Sequence, residues 1–85
     1  MEGTDMLTSY NKMATKAAHL LYNEINALNP GSRYVDGYID AIAACMELDE
    51  TAVFEDVKNR TKSMFDADVE NGDLRAKNRW NSYWK

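Results

Sequence analysis

The stretch Ser32–Leu48, SRYVDGYIDAIAACMEL, decides the fold. Val35, Ile39, Ile42 and Met46 fall on one helical stripe, and Tyr34, Tyr38, Ala41, Cys45 and Leu48 fall on a second stripe beside it. Together they take up well over half of a helix circumference. A helix apolar over so wide an arc needs cover on two sides, so the spacing predicts the central helix of a small bundle. Asp36, Asp40 and Glu47 are left as a narrow polar edge. Gly37 costs about 1 kcal/mol of helix propensity there, and close approach of another backbone is the benefit expected in return.

Upstream, Met6, Leu7, Tyr10, Met13, Ala14, Ala17, Leu20, Leu21, Ile25 and Leu28 recur at three-and-four spacing, with Thr4 as a candidate N-cap. Lys12, Lys16, His19, Asn23 and Asn26 line the opposite, solvated face. Asn29-Pro30-Gly31-Ser32 then turns the chain: proline disfavours helical geometry at Asn29, and Ser32 can cap the next helix. So short a connection makes the first two helices antiparallel neighbours.

Downstream, Asp49 reads as an N-cap, with Leu48 and Val53 placed for a hydrophobic staple. Val53, Phe54, Val57, Met64 and Phe65 point inward from the third helix, Thr61 fills a gap in the stripe, and Asp56 and Arg60 form an i,i+4 pair outside. Asn71-Gly72 ends this helix, and Asp73 can cap a last one through Trp84. The expectation is an all-α, compact three- to four-helix bundle. Its helices lie near 5–28, 32–48, 50–70 and 74–84, in a single domain over residues 1–85.

Composition agrees. An 85-residue chain that is 45% apolar and 28% charged has room for one core, and it is too apolar for disorder. No run reaches the ~20 apolar residues of a membrane span, and MEGTDM lacks the plan of a signal peptide. One cysteine, Cys45, allows no internal disulfide, which fits a reducing compartment, and its place in the apolar arc predicts a buried small hydrophobe. A cytoplasmic location is the expectation.

Candidate chemistry is sparse. His19, the single histidine, has no acid at i±3 or i±4 to orient it, and one histidine with one cysteine cannot build the usual zinc site. Asp66, Asp68 and Glu70 alternate like the start of a calcium loop. The glycine comes one residue late, however, and Lys77 stands where the bidentate glutamate belongs. Phosphate loops and serine elbows are missing. No catalysis, cofactor or metal is expected.

Charge is unevenly spread, and this points to binding. The net charge is −4. Residues 31–57 carry seven acids against Arg33, for −6, whereas residues 58–85 carry seven bases against four acids, for +3. Asp36, Asp40, Glu47, Asp49, Glu50, Glu55 and Asp56 form an acidic edge suited to the basic groove of a partner, including one that normally holds nucleic acid. The C-terminal segment offers a second surface. Arg75, Arg79, Trp80, Tyr83 and Trp84 are of the residue types that dominate binding hot spots, or they close the core.

A small acidic helical domain without catalytic groups resembles the regulators and inhibitors that phages and other mobile elements carry, anti-CRISPR and other anti-defence proteins among them. That likeness is one of type and covers no motif. It implies a non-enzymatic module that blocks a partner protein. Two other expectations stand beside it: nucleic-acid binding through the basic-aromatic segment with Lys77, which the overall acidity disfavours, and self-assembly through Tyr34, Tyr38 and Trp80 as a homodimer.

Overall fold

A computed structural model of the chain describes residues 2–27 and 34–84, with side chains from Thr8 and, after the gap, from Val35. It contains four helices: α1 (Glu2–Asn26), α2 (Tyr34–Met46), α3 (Glu50–Glu70) and α4 (Arg75–Tyr83). The described residues include no strand. The 25 residues of α1, at a rise of about 1.5 Å each, account for most of the molecule's 42 Å long axis.

α1 and α3 form the central pair, and two tyrosine–aspartate bonds fix their register. Tyr10 donates to Asp56 and Tyr22 donates to Asp68, each at 2.5 Å. Both bonds join residues 46 apart, so α1 and α3 run parallel, with α2 antiparallel between them in sequence. Small residues let these two helices approach: Ala14, Ala17 and Ala18 are buried, and the Thr61 hydroxyl donates to the Val57 carbonyl at 2.8 Å and reaches the Ala18 carbonyl at 3.3 Å. Leu21, Ile25, Ile39, Ile42, Val53, Val57 and Phe65 complete the core, each large side chain contributing about 1.5–3 kcal/mol by leaving water.

α4 runs back along α3. Trp80 packs on Phe65 with ring centroids 5.7 Å apart, Trp84 on Phe54 at 6.0 Å, and the two indoles meet edge-on at 5.3 Å. Ala76 is fully buried beneath them. The Arg79 guanidinium ties α4 to α1 and to the turn before it, donating to Asn26 at 2.7 Å and to Asp73 at 2.8 Å.

Both described turns use the same device. At the end of α2 the Leu48 amide donates to Ala43 and the Glu47 amide to Ala44. At the end of α3 the Asp73 amide donates to Asp68 and the Gly72 amide to Val69. These are Schellman motifs, which need a left-handed residue at the reversal. Gly72 supplies it at φ 103°, as the Asn71-Gly72 pair predicts, whereas at the other turn Glu47 takes φ 55°. Asp49 caps α3 through the Ala52 amide at 3.3 Å, as expected.

Several expectations are corrected. α2 is flanking, not central: Val35, Ile39 and Ile42 of its first stripe are buried and Met46 half-buried, but Ala41, Cys45 and Leu48 are exposed because only α1 and α3 pack on it. Cys45 is therefore no core residue. Leu48, 47% exposed, makes a poor staple for Val53. Thr4 lies inside α1, which begins at Glu2. A Cβ on Gly37 would meet nothing within 4 Å, so no backbone approaches it. Asn26 is half-buried and bonded, not free in solvent. The Asp56–Arg60 pair forms as expected, at 3.1 Å, and it also joins two helices, because Arg60 donates to Asn11 at 3.0 Å and reaches Thr15 at 3.4 Å. Leu28, the Asn29–Ser32 turn and the side chains of Met6, Leu7 and Tyr34 lie outside the described residues.

Candidate partner-binding cleft

The α2–α3 turn gathers the acids. Asp36 and Asp40 are one turn apart on the solvent side of α2, because the Val35–Ile39–Ile42 stripe faces inward. The tight reversal at Glu47 brings α3 back with Asp49 at its cap and Glu50 at its first position. Asp36, Gly37, Ile39 and Asp40 of α2 and Glu50, Thr51 and Phe54 of α3 then line an open cleft of about 690 Å³. Its rim is acidic and its floor apolar.

Acids near a helix N-terminus are ordinarily favourable, which accounts for Asp36, Asp49 and Glu50. Asp40 has no such role. It shares a hydrogen bond with Glu50 and repels it, and with a little desolvation and the charges of Asp49 and Asp36 it holds the exposed Glu50 carboxyl above the usual range. Among the described residues no cation pairs with these groups, the ion pairs being Asp56–Arg60 and Asp73–Arg79.

The other predicted site residues separate into distinct places. Glu47 and Glu55 are exposed outside the cleft lining. Asp56 is held by α1: burial would raise its carboxyl, but the Tyr10 hydroxyl and the Arg60 guanidinium outweigh it and lower it. At the C-terminus, Arg75 is exposed, Arg79 is bonded within the fold, and Trp80, Tyr83 and Trp84 are half-buried against the core. Lys58 Nζ sits 4.6 Å from the centroid of the Trp84 ring. Lys77 is exposed and shares an α3–α4 groove with Lys62 and Trp80. Tyr38 is half-buried against the core.

Two features escaped the sequence reading. Gly37 lies at the cleft wall, and its exposure could not be read from spacing alone. Glu24 is only 9% exposed, and it accepts a hydrogen bond from the Tyr83 hydroxyl. The signal for it was present, since Ala17, Leu21 and Glu24 continue the apolar spacing of α1.

His19 is exposed, and among the described residues no group of three or more His, Cys, Asp or Glu is placed to hold a metal ion. No described helix is long and apolar enough to cross a membrane. Comparison with protein-family models, curated proteins and solved structures gives no match.

Proposed function

We propose that the chain is a non-enzymatic protein-binding module whose α2–α3 cleft receives a basic surface of a partner protein, covering that surface and so regulating or inhibiting the partner. The observation that carries this reading is the convergence of Asp36, Asp40 and Glu50 on an open, apolar-floored cleft with no described cation between them. Mutual repulsion of this kind is relieved when a cation arrives, and it speeds association with basic partners. Gly37 supports the same reading. It gives up helix stability without serving any contact inside the chain, so the space above it is available to something outside.

The C-terminal segment fits a nucleic-acid surface less well. Arg79 is already bonded to Asn26 and Asp73, and Trp80 and Trp84 are stacked on Phe65, Phe54 and each other. The test is capture of partners from the source cell by the wild-type chain and by an Asp36→Lys, Asp40→Lys, Glu50→Lys variant. The variant's fold is verified by circular dichroism. The specific partner is lost with the variant and released from wild type by salt. A partner retained by the folded variant removes the cleft from the function.

A further inference from the structure

Next to the cleft, and sharing Asp36 and Phe54 with it, lies a cavity of about 260 Å³ between all four helices. Glu24 of α1, Val35 of α2, Tyr83 of α4 and Trp84 just after it complete its wall, with Leu21 behind. It is smaller than the ~300–1,000 Å³ of a typical small-molecule site. One side chain is the size of guest it can take.

One polar group in this wall has no hydrogen-bond partner, and another has no described countercharge. Glu24 is nine-tenths buried, yet the partner it has is the neutral Tyr83 hydroxyl, and no described cation pairs with it. A buried carboxylate without a countercharge is expensive in a protein interior. The Trp84 indole Nε1 is buried and has no acceptor, which is also unfavourable. Lys58 does not relieve Glu24, because its ammonium is placed over the Trp84 ring. The Tyr83 phenol is held well above its usual range by burial and then by Glu24 and Asp36. Phe54, Tyr83 and Trp84 add aromatic walls of the kind that attract organic cations. A peptide segment carrying lysine or arginine brings a cation for Glu24 and a carbonyl acceptor for the Trp84 indole.

We infer that the cavity seats one lysine or arginine side chain of the partner, its stem against Phe54, Tyr83 and Trp84, its charge at Glu24 and Asp36, and a neighbouring carbonyl on the Trp84 indole. This rests on the reading that the α2–α3 face receives the partner, and it specifies which residue type enters.

The test uses the full ¹⁵N-labelled chain and three probes: Nα-acetyl-L-lysinamide, Nα-acetyl-L-argininamide and uncharged Nα-acetyl-L-norleucinamide. The Trp84 indole N–H resonance is followed, with that of Trp80 as internal control. A cationic probe shifts Trp84 saturably, with Kd on the order of 1–10 mM for so small a guest, and norleucinamide binds at least about tenfold more weakly. Whichever of lysinamide and argininamide binds more tightly identifies the side chain. Glu24→Gln abolishes the response. If that variant does not fold, the exposed Asp36→Asn variant must weaken the response instead. Equal shifts with all three probes, or no saturation by about 50 mM, overturn the inference. An Asp66→Asn, Glu70→Gln double variant at the far end of α3 keeps the probe response, because neither residue lines the cavity or the cleft. If the probes fail while partner capture still depends on Asp40 and Glu50, the cavity assignment falls and the cleft reading stands.

Discussion

Replacing Gly37 by alanine separates stability from binding. Gly37 sits inside α2, its φ is outside the left-handed region, and an added Cβ meets no atom within 4 Å. No strain or clash therefore offsets the gain in helix propensity. The full difference between glycine and alanine in an exposed helix interior, about 0.5–1 kcal/mol, should appear as added stability. For a domain whose total stability is roughly 4–13 kcal/mol this is measurable, and it corresponds to a rise in Tm of roughly 2–8 °C. Urea unfolding followed by circular dichroism reads the gain as a midpoint shift at constant slope. The same variant should bind the partner less well, because the methyl group enters the cleft. A variant no more stable than wild type would refute the assignment of Gly37 to open space. One that is more stable and binds normally would remove Gly37 as support for the cleft.

Other perturbations have equally definite outcomes. Glu47→Gly relieves a left-handed glutamate and removes an acid from the C-terminal end of α2, so it should stabilise by about 1 kcal/mol, with Glu47→Ala gaining only the charge part; equal gains in the two variants would show that Glu47 is unstrained. Phe65→Ala empties the contact between α3, Tyr22 and Trp80 and should cost about 3–5 kcal/mol; a loss under 1 kcal/mol would mean that the core closes without this ring. The Tyr10 phenol is pushed up to about 12 by burial first and then by Asp56, against an opposing Arg60. Its raised folded value gives stability that is complete below about pH 10 and lost as pH rises through about 12, so Tyr10→Phe should flatten the alkaline loss seen in urea midpoints. Glu50 behaves in the same sense at lower pH. Its contribution is present below its ordinary range and fades as pH rises through its elevated folded value, and Glu50→Gln should abolish that decline.

Much of the bundle was legible because three-and-four spacing reports burial directly. Val53, Val57, Thr61 and Phe65 lie where their stripe puts them, as do Ala14, Ala17, Leu21 and Ile25. Spacing says which residues share a face, not how many neighbours will cover it. That is why Ala41 and Cys45, apolar and correctly placed on a second stripe of α2, emerge exposed. The turn after α2 was hidden for a different reason, since a left-handed glutamate has no residue signature, unlike Gly72. In the candidate site, Asp36, Asp40 and Glu50 could be nominated from sequence, but their meeting depends on how the Glu47 reversal aims α3. Asp56 shows the limit most clearly. It belongs to the same acidic run, yet it lies six residues past Glu50, about one and two-thirds turns, and so on another side of α3, where Tyr10 and Arg60 hold it. Glu24 and the orphan Trp84 indole depend on contacts between α1 and α4 that no local pattern encodes.

The most direct test of the cleft compares two isosteric double variants of equal net charge, Asp40→Asn with Glu50→Gln in the cleft, and Asp66→Asn with Glu70→Gln at the far end of α3. Both keep size and shape while removing two charges. Partner affinity is then measured for each by titration calorimetry on the captured protein. A cleft that seats a basic surface predicts loss of about tenfold or more for the first pair and little change for the second, since each lost close charge contact contributes on the order of 1 kcal/mol or more. Equal losses for both pairs would show that only overall acidity matters, and unchanged binding by the cleft pair would contradict the assignment outright.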